Sequence, residues 1–261
     1  LENKIIKIDK EIANLIYSKK YVKSHYRFYF SPEIDQWKSE SPDNEIENEM
    51  RMNAEKSYCK RHGIESNEEE IEFKIDSNFE NLRKKGENEL PICELIRNDS
   101  IKEFIIFVNK NNYDLKKKIK PSIFESNLFL NENEVTLIEY AAFFGSIQIF
   151  QYLQMNKAKL TSTLWNCVIH SNNAEMIHKL EELRVSPLKN NYESCLIESI
   201  KCHHIDLFNY FRNNYLNEMK ENTIVNFCLN FCNFICLPDD FYTIQSSFIY
   251  ACKYDYIQLV E

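Results

Sequence analysis

"TLIEYAAFFGSIQIFQYL", Thr136 to Leu153, sets two short apolar runs on either side of Gly145. Glycine is scarce in this chain, with three in 261 residues. Ala141 and Ala142 stand before it, and a stripe of Ile147, Ile149, Phe150 and Leu153 follows. Apolar residues at i, i+3 and i+4 on both sides of a hinge predict two short amphipathic helices. The small Ala141 and Ala142 let the paired helices approach closely. A reversal between them requires a residue tolerant of positive φ, which glycine adopts at no steric cost. The stretch therefore reads as a helix–turn–helix unit with Gly145 at its turn.

The same frame recurs. "TLWNCVIHSNNAEMIHKL", Thr163 to Leu180, places Val168-Ile169 at the small pair, Asn172 at the turn, and Ala174, Met176, Ile177 and Leu180 on the second stripe. "SCLIESIKCHHIDLFNYF", Ser194 to Phe211, supplies Ser199-Ile200, His203-His204, and then Ile205, Leu207, Phe208 and Phe211. Upstream, "LPICELIRNDSIKEFIIF", Leu90 to Phe107, fits with Leu95-Ile96, Asp99-Ser100, Ile101, Phe104 and Phe107. "SSFIYACKYDYIQLVE", Ser246 to Glu261, supplies one more incomplete unit. Residues 223–237 fit only for a first helix, because Pro238 blocks a regular second one. Asp, Asn and His replace glycine at the turns, and Asn and Asp enter the left-handed region most readily of the non-glycine residues. No single unit can bury its stripes alone, so neighbouring units must stack.

The frame resembles the ankyrin repeat, whose pattern runs T-P-L-H-x-A-A-x-x-G-H-x-x-I-V-x-x-L-L. Thr136, Ile138, Ala141, Ala142, Gly145, Ile149 (or Ile147) and Leu153 match it, as do Pro91 and His204 at its proline and histidine positions. In wording, "IKPSIFESNLFL", "TLIEYAAFFGSIQIFQYL", "ESIKCHH" and "ACKYDYIQLV" look like the degenerate ankyrin-like proteins of unknown function expanded in trichomonad protists. The resemblance covers about Tyr58 to Glu261. It implies an ankyrin-type helical-hairpin solenoid and brings no known activity. The spacing is uneven and the glycines of regular hairpin tips are missing.

With Lys+Arg 32 against Asp+Glu 40, the net charge is −8, which disfavours non-specific binding to a phosphate backbone. No run reaches the roughly 18 apolar residues of a membrane helix. The start, "LENKIIKIDKEIANLI", lacks the form of a secretory signal. Nine scattered cysteines then read as reduced thiols of a cytoplasmic protein, packed as small hydrophobes. Because the chain opens on leucine and stops inside an apolar periodic run, a piece of a longer product is expected.

Residues 1–89 read as an N-terminal helical cap and residues 90–261 as the repeats, with units near 90–120, 136–160, 163–190, 194–217, 223–237 and 246–261. Ile5, Ile8, Ile12, Leu15 and Ile16 share one helical face over residues 3–20. "YVKSHYRFYF", Tyr21 to Phe30, has the aromatic–basic mix of a single-strand stacking platform, yet the acidic stretch after it would repel phosphates. "ESNEEEIEF", Glu65 to Phe73, reads as the acidic first turn of a solvated helix, since a calcium loop's ligand spacing is absent.

Gly63, Gly86 and Gly145 stand too far apart to write a dinucleotide fingerprint, phosphate loop or nucleophile elbow. "CHH", Cys202 to His204, and the series Cys228, Cys232, Cys236 raise metal binding. Adjacent Cys202 and His203 point apart on a helix end, and the cysteine series reads as one buried helix face, so neither meets zinc's need for converging ligands. Catalytic, cofactor and metal residues are thus expected to be none. Trp165 stands at the leucine position of the ankyrin-like frame, which implies a place in the core.

The resulting expectation is an all-α, non-enzymatic protein-interaction scaffold, monomeric and cytoplasmic, with a protein partner and neither nucleic acid nor membrane. The alternatives are a structural cap or spacer for binding repeats further along, and an unrecognised enzyme. In the ankyrin frame the two positions before each turn face the partner. Here they are Phe143 and Phe144, His170 and Ser171, Lys201 and Cys202, and Lys253 and Tyr254. These should be more exposed than the Ile147/Phe150/Leu153 stripe, unless the preceding "KPSIFESNLF" covers the two phenylalanines as core.

Overall fold

A computed structural model describes residues 29–30, 77–215, 220–238, 241, 249 and 252–253. The helix expected over residues 3–20, the stretch Glu65 to Phe73 and Tyr254 lie outside these, as do nearly all of Tyr21 to Phe30 and most of the unit at 246–261. Among the described residues eleven α-helices form and no β-strand does. They are α1 (Ser77–Lys85), α2 (Pro91–Arg97), α3 (Ile101–Lys110), α4 (Leu128–Glu132), α5 (Leu137–Phe144), α6 (Ile147–Met155), α7 (Leu164–Ser171), α8 (Ala174–Glu182), α9 (Glu193–Lys201), α10 (Ile205–Tyr215) and α11 (Glu221–Asn230). The all-α class follows. No helix among the described residues is long and apolar enough to cross a membrane.

The chain divides into two compact units, one of Leu1–Glu94 with Lys118–Val135 and one of Leu95–Lys117 with Thr136–Glu261. In the first, Phe79 of α1 packs on Ile123 and Phe124, with Leu82 against them. Gly86 ends α1 at φ 65, and its carbonyl accepts from both the backbone N–H (2.9 Å) and the hydroxyl (2.8 Å) of Ser126. "KPSIFESNLF" thus contributes Ile123 and Phe124 to a small core with α1.

The second unit is built from helical hairpins. Within them α5 packs on α6, α7 on α8 and α9 on α10. Between them α5 packs on α7, α7 on α9 and α9 on α11, while α3 meets α6. The buried stripes are the expected ones: Ile149, Phe150 and Leu153 on α6, Met176, Ile177 and Leu180 on α8, and Leu207, Phe208 and Phe211 on α10. Ile147 is only half-buried, and Ala174 and Ile205 are exposed. Trp165 is 1 % exposed, and its indole N–H donates to the Val185 carbonyl at 2.7 Å.

Each first helix ends in a left-handed residue: Asp99 (φ 46), Gly145 (φ 69), Asn172 (φ 48), His203 (φ 58) and Cys232 (φ 54). After four of them the next N–H returns five residues, from Ser100 to Leu95, Ser146 to Ala141, His204 to Ser199 and Asn233 to Cys228, at 2.8–3.0 Å. This satisfies carbonyls that the helix end would orphan. The second helices stop in the same way, at Asn112 (φ 45), Lys157 (φ 60) and Arg184 (φ 51). At Gly145 an added Cβ would lie 3.3 Å from Asn173 Nδ2 and 3.4 Å from Ser171 Cβ. Gly145→Ala is therefore expected to lower stability by about 1–2 kcal/mol, the cost of left-handed backbone for an L-residue. A urea midpoint that does not move would contradict this.

Polar ties cross from one hairpin to the next. Ser146 Oγ donates to the Ile96 carbonyl at 2.5 Å, and Asn233 Nδ2 to the Ile200 carbonyl at 2.9 Å. Both donors follow a left-handed turn and reach the second residue of the preceding unit's small pair. His204, at the same position of its own unit, has its ring against the backbone of His170. Asp99 instead caps a neighbour, accepting from Gln148 N (3.1 Å) and Ile149 N (3.0 Å) at the start of α6, where a carboxylate is favoured.

The cysteine series does not share a helix face. Helix α11 ends at Asn230, and Cys232 occupies the left-handed turn, exposed, between buried Cys228 and Cys236. A four-residue spacing keeps one face only while the helix lasts.

Candidate functional site

The positions just before successive turns fall into one line of contacts. Arg97 Nη1 donates to the Tyr140 hydroxyl at 2.9 Å. The Tyr140 ring meets Phe144 at 4.7 Å, and Phe144 meets Phe143 at 5.0 Å. Phe143 stacks on the imidazole of His170, with centroids 4.5 Å apart and planes 24° from parallel. His170 Nε2 lies 3.0 Å from Glu198 Oε1, and Lys201 Nζ holds Oε2 of the same carboxylate at 3.2 Å. Lys201 Nζ also sits 5.4 Å above the centre of the Phe231 ring. The stacking of first helix on first helix puts these equivalent positions side by side.

Of the residues expected to face a partner, Phe143, Phe144, His170, Lys201 and Cys202 are brought together. Lys201 and Lys253 are exposed, and Phe144, His170, Ser171 and Cys202 are more open than Phe150 and Leu153 as expected, but Phe143 is buried at 7 % exposure, below Ile147. The correction has a direct cause: the ring is covered by His170 from the next hairpin. Phe144, His170 and Cys202 are half-buried. Ser171 turns back on its own helix, with its hydroxyl donating to the Val168 carbonyl at 2.7 Å and accepting from Asn173 N at 3.3 Å.

His170, Glu198 and Cys202 form a compact polar cluster. Cys202 Sγ lies 3.4 Å from His170 Nδ1 and 3.8 Å from Nε2, and one ligand atom from each of the three residues lies within 4.8 Å of the others. Burial raises the Glu198 carboxyl, but the His170 hydrogen bond and the Lys201 charge outweigh it and hold the group below its ordinary value. Burial and then the Glu198 charge push the Cys202 thiol up to about 12. A Cys–His nucleophile requires the opposite, a depressed thiol held beside a base. As it stands, the pair is a poor nucleophilic centre.

Comparison with family models, with curated proteins and with solved structures finds no match to this chain. The chemistry of the site rests on its own geometry.

Two polar groupings were not anticipated from the sequence. Glu139 of α5 accepts from Thr136 N and Thr136 Oγ1 at 2.8 Å each, from Thr161 Oγ1 at 2.7 Å, and from the Thr163 hydroxyl. It stands where the ankyrin pattern has histidine. Beside α8, Trp165, Tyr192, Tyr210, Tyr215 and Glu181 line an open cleft of about 450 Å³. Glu181 accepts from the hydroxyls of Tyr210 and Tyr215, the latter at 3.0 Å. The rings serve one another, since Tyr192 is stacked on both Phe211 (5.7 Å) and Tyr215 (3.9 Å). The rings of the cleft wall therefore pack on one another. Only Glu139 had a local signal, a Thr-x-x-Glu capping box ahead of an apolar run.

Proposed function

We propose that the chain is an ankyrin-type helical-hairpin solenoid, without catalytic activity of its own, that binds another protein. The observation that carries this reading is the repeated turn at Asp99, Gly145, Asn172, His203 and Cys232, with Ser146 and Asn233 each tied back to the preceding unit. A register kept over several units lines up equivalent side chains, which is how repeat proteins present an extended contact surface. The step from that architecture to partner binding is an analogy of fold. Phe144, Lys201 and Lys253 offer the partner an aromatic edge and positive charge at the turn ends.

The test retains proteins on the immobilised chain, purifies a retained protein, and measures its affinity for the chain and for a Phe144→Ser/Lys253→Glu variant. The variant should keep its helical circular dichroism at the assay temperature and bind at least ~10-fold more weakly, as loss of one interface anchor implies. Equal affinity for both forms would remove the turn ends as the contact surface. If no purified protein binds the chain directly, the cap or spacer reading takes its place.

A further inference from the structure

We propose that His170, Glu198 and Cys202 form a zinc-binding site that clamps two successive hairpins. The ligands come from different elements. His170 lies in the last turn of α7, whereas Glu198 in α9 and Cys202 just after it stand four residues apart and share a face. Adjacent Cys202 and His203 diverge and cannot by themselves meet on one ion. It is the packing of α7 on α9 that supplies the missing convergence.

The three donors lie close enough to meet on one ion once Cys202 turns toward Nε2. Tetrahedral zinc with bonds of roughly 2.0–2.3 Å separates its nitrogen, oxygen and sulfur ligands by about 3.3–3.6 Å. Nε2 of His170 lies 3.0 Å from Oε1 of Glu198 and 3.8 Å from Sγ of Cys202. The Nε2–Oε1 separation lies a few tenths of an ångström short of coordination geometry, whereas Cys202 Sγ, at 3.4 Å from Nδ1, has to turn about its Cα–Cβ bond to the Nε2 side to complete the set. Imidazole, thiolate and carboxylate together are a zinc-type donor set, with water as the fourth ligand.

The surroundings orient the ligands. Lys201 Nζ holds the second Glu198 oxygen at 3.2 Å, and the Phe143 ring lies against the face of His170. Such outer contacts fix a ligand before the ion arrives. Binding displaces the Cys202 thiol proton to solvent, and His170 enters as neutral imidazole with its remaining proton on Nδ1. An ion-pair chain of His170, Glu198 and Lys201 would be complete without the thiol. The sulfur beside the imidazole is what turns an ion pair into a ligand set.

The experiment titrates the full, reduced chain with cobalt(II) alone, as a spectroscopic stand-in for zinc. The expected result is a thiolate-to-cobalt absorption in the near ultraviolet with tetrahedral bands in the visible, saturating at one ion per chain and bleached by zinc. Cys202→Ser should abolish the thiolate band and weaken binding by more than the roughly 10–100-fold that outer-shell changes cost. Cys232→Ser, at an exposed cysteine outside the cluster, should leave both intact. Circular dichroism checks each variant's helices, and His170→Gln replaces Cys202→Ser if the latter does not fold. Absence of the bands in the unaltered chain overturns the site. So does their persistence in a folded Cys202→Ser or His170→Gln variant.

Discussion

Trp165→Ala is expected to lower unfolding free energy by about 3–5 kcal/mol, the range for emptying a buried tryptophan site. The indole is 1 % exposed and meets Phe211 edge-on at 6.3 Å and Tyr192 at 5.1 Å, so the space cannot close without moving α10. Its N–H also satisfies the carbonyl of Val185, the residue after the left-handed Arg184 that ends the second helix of the hairpin. Trp165→Phe separates the two contributions. Most of the ring is kept, the hydrogen bond is lost, and about 1–3 kcal/mol should go with the unsatisfied carbonyl. Denaturant unfolding of the three forms is the measurement. A loss below 1 kcal/mol for Trp165→Ala would mean that the hairpin does not pack around this side chain.

Trp165 was legible in the sequence because it falls on the leucine position of the ankyrin-like frame, which implies core packing. The turns at Asp99, Gly145, Asn172 and His203 were legible as well. Each couples a preceding small or apolar pair to a following apolar stripe, and a helix must stop between them. The left-handed stops of the second helices were not legible. Lys157 and Arg184 have no intrinsic preference for positive φ. They adopt it because the helix end returns its N–H groups, Ala158 to Leu153 and Val185 to Leu180, and the residue between must bend.

The candidate site shows the same division. The frame placed His170, Lys201 and Cys202 at turn ends, and they are there. What it could not state is the distance between units. The sequence gap from His170 to Cys202 has no bearing on their 3.4 Å approach, which depends on how far α9 is shifted along α7. The expectation of an exposed Phe143 failed for that reason as well. A position solvated in an isolated hairpin is covered once the next hairpin lays an imidazole across it. Charged side chains at equivalent places, Lys201 and Lys253, stay in water because burying an ammonium group costs far more than leaving it solvated.

Glu139→Gln is expected to cost about 2–4 kcal/mol at neutral pH, and the cost should shrink in acid. The carboxylate is buried yet accepts from one backbone N–H and three threonine hydroxyls, so it joins the start of α5 to that of α7. Hydrogen bonds to a charged group contribute about 1.5–3 kcal/mol each, offset in part by desolvation of the charge. Burial raises the Glu139 carboxyl, but the bonds from Thr136, Thr161 and Thr163 outweigh it and hold the group below its ordinary value of 4.5. The buried Cys167 thiol faces it, pushed well up by burial and by Glu139 itself, and stays neutral throughout. A carboxyl depressed in the folded state binds its proton more readily when unfolded, so its contribution is complete above pH 4.5 and is lost as pH falls through the folded value. Glutamine keeps one acceptor, replaces the other with an N–H2 that opposes the threonine hydroxyls, and does not titrate. Urea unfolding of both forms from neutral pH down to the acid limit of folding should therefore show two curves that draw closer below pH 4.5. Parallel curves would mean that Glu139 carries no charge at neutral pH, and the tie between α5 and α7 would then be an ordinary set of neutral hydrogen bonds.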